Sequence, residues 1–179
     1  MTPSPCPPLS NENWPDEIVD MLPGFAGALN VYRTMAHHPA LLKAWAPLRQ
    51  HIVKDSVLGP VRSEVVILRA AYRMGSTYEW AHHVSRARAL GMTDARIRAI
   101  GETPEGEDAL IAEAVDALFD LRRLPADLEK RLSDLISQQG VFDLIATVGF
   151  YSVLGYMLMT YDTPIDEAVA KELAESPLS

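Results

Sequence analysis

From residue 15 onward, apolar side chains recur three and four positions apart, the period of helices that bury one face. Asp108 to Leu121 is the cleanest case, with Leu110, Ile111, Ala114, Val115 and Leu118 in one stripe. In Val61 to Arg73, Val61, Val65, Leu68, Ala71 and Tyr72 share a face, and Arg62, Arg69 and Arg73 gather opposite, where solvated charges belong. Gly and Pro punctuate the pattern. It predicts a helix from Pro23 or Gly24 to Ala36, stopped by His37-His38-Pro39, and another from Pro39 that Pro47 kinks or breaks. A turn at Val57–Pro60 leads into the helix that Gly75 closes. The next runs from Ser76 to Leu90, and Thr93 caps a short one through Ile100. After Asp108–Leu121, Pro125 starts a helix that Gly140 ends, an uncharged helix follows, and Thr163-Pro164-Ile165-Asp166 opens the last. No five-residue run alternates as a strand would. The expectation is an extended Pro-rich arm over 1–14 and one all-α helical domain over 15–179.

Composition narrows the function classes. A chain of 179 residues with 48% hydrophobic and 22% charged content makes one ordinary globular core. A net charge of −8, without any basic run, argues against nucleic acid as a partner. The one cysteine, Cys6, lies in the arm, which excludes an internal disulfide and suits a reducing cytoplasm. The N-terminus has neither basic n-region nor apolar h-region, so no signal peptide is expected. Leu144 to Tyr161 lacks formal charge, but Thr147, Ser152 and flanking acids Asp143 and Asp162 mark a buried or subunit-interface helix rather than a membrane span.

Glu64 is the anomaly in the pattern: a carboxylate inside an apolar stripe, costing several kcal/mol unless paired, hydrogen-bonded or protonated. The next helix supplies partners. Glu79 and His83 are an i, i+4 pair, with Ser76 and Arg86 on the same side and His82 on the other flank. A polar face of this kind is ordinarily solvated, unless antiparallel packing brings Glu64 against it. A metal held by Glu64, Glu79 and His83 is the rival reading. Without a second Glu-x-x-His on another helix, the expectation is no metal. His37, His38 and His51 are assigned no chemistry.

Several phrases together resemble the carboxymuconolactone decarboxylase superfamily, which includes the alkyl hydroperoxidase D proteins. They are Tyr32–Pro39, Ser63–Arg69, Tyr78–His83 and Gly91–Ile97, with Gly149–Ser152 similar to the closing helix. The resemblance implies a helical bundle assembled as a homo-oligomer (dimer, trimer or hexamer) around a small-molecule substrate, with no cofactor. In the peroxidase branch a glutamate is followed by Cys-x-x-Cys-x-x-x-His. By position the glutamate falls on Glu64 and the histidine on His83, but the cysteines fall on Ser76 and Glu79. Thiol peroxidase (peroxiredoxin-type) chemistry needs a thiolate, so it is disfavoured. The decarboxylase-like branch implies a lyase of aromatic degradation, doing acid–base chemistry on a small lactone or cyclic carboxylic acid. There His83 is proton donor or electrophilic stabiliser, tuned by Glu64 and Glu79, while Ser76, His82 and Tyr151 bind substrate. A non-catalytic small-molecule-binding module is the alternative from another class.

Overall fold

A computed structural model describes residues 4–178, whose regular structure is entirely helical. A 3-10 turn at Asp16–Met21 precedes α1 (Phe25–Ala28), α2 (Asn30–Met35) and α3 (Pro39–Gln50). A π-helical turn at His51–Asp55 leads to α4 (Gly59–Met74), α5 (Thr77–Ala89) and α6 (Asp94–Gly101). Then come α7 (Gly106–Leu121), the long α8 (Ala126–Thr160) and α9 (Glu167–Glu175). Residues 1–3 of the expected arm lie outside the described span. Residues 4–14 form no helix, and Leu9 is tied down where its N–H donates to the Arg33 carbonyl (3.2 Å).

Helix α4 is the centre of the bundle, packed against α5, α7 and α8. Val65, Val66, Ile67, Leu68, Ala70 and Ala71 are all buried, so it is apolar over most of its circumference, as a central helix must be. Two core clusters meet across it. One gathers Val65, Leu68, Val84, Ile111 and Leu144; the other gathers Ile67, Tyr32, Trp45, Phe150 and Tyr151. Trp45 stacks on Phe150 with centroids 4.4 Å apart.

Several elements differ from the pattern-based expectation. Tyr72 is exposed, not core, and lies beneath the Arg69 guanidinium. The arginines opposite the apolar stripe are not simply solvated: Arg62 pairs with Glu107, Arg69 with Asp116, and Arg73 with Asp116 and Asp120, all on α7. The single helix expected up to Ala36 is two, because Leu29 is extended (φ −130°, ψ 141°) and the Asn30 N–H is taken by the Asp166 carboxylate (3.0 Å). Pro47 does not end α3; it forfeits one backbone bond inside the helix. The break in the region of Gly140 falls instead at Ser137 (φ 68°, ψ 164°), whose hydroxyl accepts from the Gly140 N–H (3.3 Å) and caps the second half of α8. The last helix starts after Asp166 rather than at Thr163, whose hydroxyl is buried against that of Thr34 (3.1 Å).

Candidate active site

Gly75, at φ 67°, turns the chain back so that α5 runs against α4. That return places His83 beside Glu64. Glu64 is 4% exposed, and Glu79 and His83 are each 3% exposed. The Nδ1–H of protonated His83 donates to Glu64 Oε2 at 2.5 Å, and its Nε2 stands 3.5 Å from Glu79 Oε2. Arg86 brings its Nε to 3.2 Å from the other Glu64 oxygen. Tyr151 of α8 closes the group, its ring edge-on to the imidazole at 5.0 Å.

The electrostatics follow from this enclosure. Burial pushes the Glu64 carboxyl up, but the His83 charge and hydrogen bond, helped by Arg86, leave it below its ordinary value. Burial pushes His83 down, and the charge and hydrogen bond of Glu64, then Glu79, outweigh it and raise the imidazole to about 9. At neutral pH the pair is therefore a buried ion pair. Burial raises the Tyr151 hydroxyl well above its ordinary value, with the Glu79 charge adding to it, so Tyr151 is a neutral donor. Its hydroxyl has no hydrogen-bond partner among the described residues.

Two cavities border the cluster. The smaller, about 270 Å³, is walled by Tyr32, Arg49, Glu79, His83, Arg86 and Tyr151 among others. The larger, about 440 Å³, takes in Glu64, Ile52, Ile67 and Leu90, and shares Arg86 and Tyr151 with the first. Glu79 Oε1 is buried and without a partner among the described residues, a costly state for a carboxylate oxygen unless a ligand or water completes it.

Glu64, Glu79, His83 and Tyr151 thus come together. Ser76 and His82 have other tasks. The Ser76 hydroxyl accepts from the Glu79 N–H (3.5 Å) as the N-cap of α5, and it borders neither of these cavities. His82 edges the smaller cavity, but both its ring nitrogens are engaged, with the Tyr78 carbonyl (2.9 Å) and Asp166 (2.8 Å). Pattern reading missed Tyr32, Arg49 and Asp166. Arg86 was legible on the Glu79–His83 face, one turn past His83; Arg49 and Tyr32 arrive from α3 and α2, and no spacing signals that. Among the described residues no group of three His, Cys, Asp or Glu side chains has metal-site geometry.

Residues 39–118 match the family model described as the Carboxymuconolactone decarboxylase family. A solved cysteine-to-alanine variant of the debrominase Bmp8, in complex with 2,3,4-tribromopyrrole, is similar at TM-score 0.76 and 15% identity, over 97% of this chain and 98% of that one. Apo debrominase Bmp8 is similar at TM-score 0.73 and 16% identity, over 94% and 95%. At such identity the likeness is one of fold. No curated protein matches the sequence. The matched span from 39 to 118 contains Glu64, Glu79 and His83, so the likeness to that family falls on the helices that carry the site.

Proposed function

We propose that the chain is a cofactor-free acid–base enzyme of the decarboxylase-like branch, acting in the cytoplasm on a small lactone or cyclic carboxylic acid. One observation carries this reading: a buried imidazolium held by Glu64 faces a second carboxylate, Glu79, which lines a small cavity and whose buried Oε1 has no partner among the described residues. Glu64 occupies Nδ1, so only the Nε2 side of His83 is turned toward the cavity and Glu79. In a decarboxylation the bond to the leaving carboxylate breaks, its electron pair moves into the conjugated lactone carbonyl, and carbon dioxide departs. His83 then supplies the proton that the enolate carbon needs, directly or by way of Glu79, and recovers one from water. Tyr151 and Arg86 are the donors available to the oxygen that gains charge. Peroxide reduction finds no thiol here, since Cys6 borders a separate cavity with His37 and Tyr156.

The test is turnover of a carboxylated unsaturated lactone, read as carbon dioxide release. Glu79→Gln and His83→Gln should each lower kcat by about 10²–10⁴-fold with the fold intact. Unchanged turnover in either variant would overturn the reading. So would hydroperoxide consumption with a dithiol that survives Cys6→Ser.

We also propose that the chain works as a homo-oligomer, joined through the outer face of α8. Phe142, Ile145, Val153, Tyr156 and Met159 lie exposed along that face.

A further inference from the structure

The stretch between α3 and α4 is fixed at its ends and loosely held in its middle. It contains the π-helical turn at His51–Asp55, a geometry that is rare and concentrated at functional positions, and runs on through Ser56 and Val57. Two apolar anchors bound it. Ile52 is buried in the core cluster of Tyr32 and Phe150, and Leu58 in that of Val65 and Leu68. Between them Val53 is partly buried, while Lys54, Asp55 and Val57 are exposed, Val57 at 52%. Packing therefore secures the anchors far better than the residues between them.

What holds the middle is one carboxylate. Among the described residues, every hydrogen bond that ties 51–57 to a helix distant in sequence goes to Asp143 of α8. It accepts from His51 Nε2 (2.7 Å), the Ser56 hydroxyl (3.0 Å) and the Val57 N–H (2.8 Å). Burial works against the Asp143 charge, but the bonds from His51, Val57 and Ser56 leave its pKa below the ordinary value. Just beyond lies Gly59, at φ 72°, where a side chain would meet nothing within 4 Å, a natural pivot.

The same stretch is one wall of the larger cavity. Ile52, Val53, Lys54 and Ser56 enclose its 440 Å³ or so together with Glu64 and Ile67, and Val53 also borders the smaller cavity. Glu64 and Ile67 are each only 4% exposed although both line this space. Release of the Asp143 bonds would free that wall without unseating either anchor.

We infer that residues 53–57 are a lid, clasped shut by Asp143, whose opening admits small molecules to the larger cavity beside Glu64. Lids are drawn from the weakly held segments of a fold, and apolar anchors with a polar clasp between them allow one to open locally. Asp143 touches no reacting atom and acts by positioning the lid. Access to Glu64 is separate from the chemistry done there, so the lid stands or falls apart from the acid–base reading.

The test is maleimide labelling of one cysteine in the cavity wall, Ile67→Cys in a Cys6→Ser background, read by mass spectrometry at rising urea below the unfolding transition. Val115→Cys in the same background is the reference, since Val115 is fully buried and borders neither cavity. Ile67→Cys should label through lid opening, at a rate nearly independent of urea. Val115→Cys should label only on unfolding, with a steep rise. Adding Asp143→Ala should speed Ile67→Cys labelling by about ten-fold or more. His51→Gln, which spares the Ser56 and Val57 bonds, should give a smaller gain. Exchange of the Val57 amide in the chain without added cysteine should quicken in the same order, which keeps the test open if Ile67→Cys folds poorly. Equal urea slopes at the two cysteines would overturn the lid without any Asp143 variant. So would a gain on Asp143→Ala that Val115→Cys shares in full, because Asp143 would then only support the fold. No gain at Ile67→Cys on Asp143→Ala would remove the clasp.

Discussion

His83 and Glu64 bind each other's charge, and that makes stability depend on pH from both sides. His83 is raised from its ordinary 6.5 to about 9 in the folded chain. Its contribution is complete below about pH 6.5 and is lost as pH climbs through 9. Glu64 is lowered from 4.5, so its contribution is complete above that value and is lost as pH falls. The pair therefore contributes most between the two, near pH 5.5. Urea unfolding at pH 5.5 and pH 9.5 should show wild type losing stability at the higher pH, with His83→Gln much flatter and destabilised by about 3–5 kcal/mol at pH 5.5. A wild-type profile that rises toward pH 9.5 would contradict the ion pair. At this scale the sequence was most legible where it broke its own pattern: a carboxylate in an oily stripe has to have a partner, and the neighbouring helix offered one. Arg49 broke no pattern. Its half-buried setting depends on Phe25 and Tyr32, which only the fold brings to it.

Among the elements, α9 is anchored at its start by a residue that pattern reading took for an ordinary helix-start acid. The Asp166 carboxylate accepts from the Asn30 N–H (3.0 Å), the Tyr78 hydroxyl (2.5 Å) and His82 Nε2 (2.8 Å). Burial works against its charge, but the His82 and Tyr78 bonds win and lower its pKa. Beyond it, Ser85 donates to Glu172 and Val169 borders the smaller cavity. Asp166→Asn should cost about 1–3 kcal/mol by loosening these bonds. It should also speed amide hydrogen exchange in α9 ahead of the core, and unchanged exchange there would refute the latch. Ser137 is a second local case. Its φ of 68° and ψ of 164° fall in a region natural to glycine, at a strain of about 1–3 kcal/mol, while losing its cap to glycine costs only a few tenths. Ser137→Gly should therefore raise Tm, and a fall would show that the cap outweighs the strain. Both misplacements share a cause: periodicity sees which face is buried, not which acceptor takes a terminal N–H, whether distant as at Asp166 or three residues back as at Ser137.

For the whole molecule, the all-α architecture and most helix limits were legible, because turn residues such as Gly75 and Gly91 stop helices by local geometry alone. What surrounds α8 was not. Part of it is long and apolar enough to cross a membrane by length and composition, yet 56% of that window is buried within the chain. The exposed remainder is narrow. Phe142, Ile145, Val153, Tyr156 and Met159 follow a three-and-four spacing through Gly149, where a side chain would meet nothing within 4 Å. Lipid would ask for apolar residues all round, whereas a seam one stripe wide with a small residue at its middle suits another helix. Phe142 at 67% and Tyr156 at 59% exposure are the largest side chains on it, so they should carry most of the association. Sedimentation velocity should find the wild type larger than a monomer, and the paired change Phe142→Glu with Tyr156→Glu should return it to monomer with its helix content unchanged. A monomeric wild type at high concentration would leave this face without a role in assembly, whereas dissociation that also lowers turnover would tie the outer face of α8 to the Tyr151 side of the site.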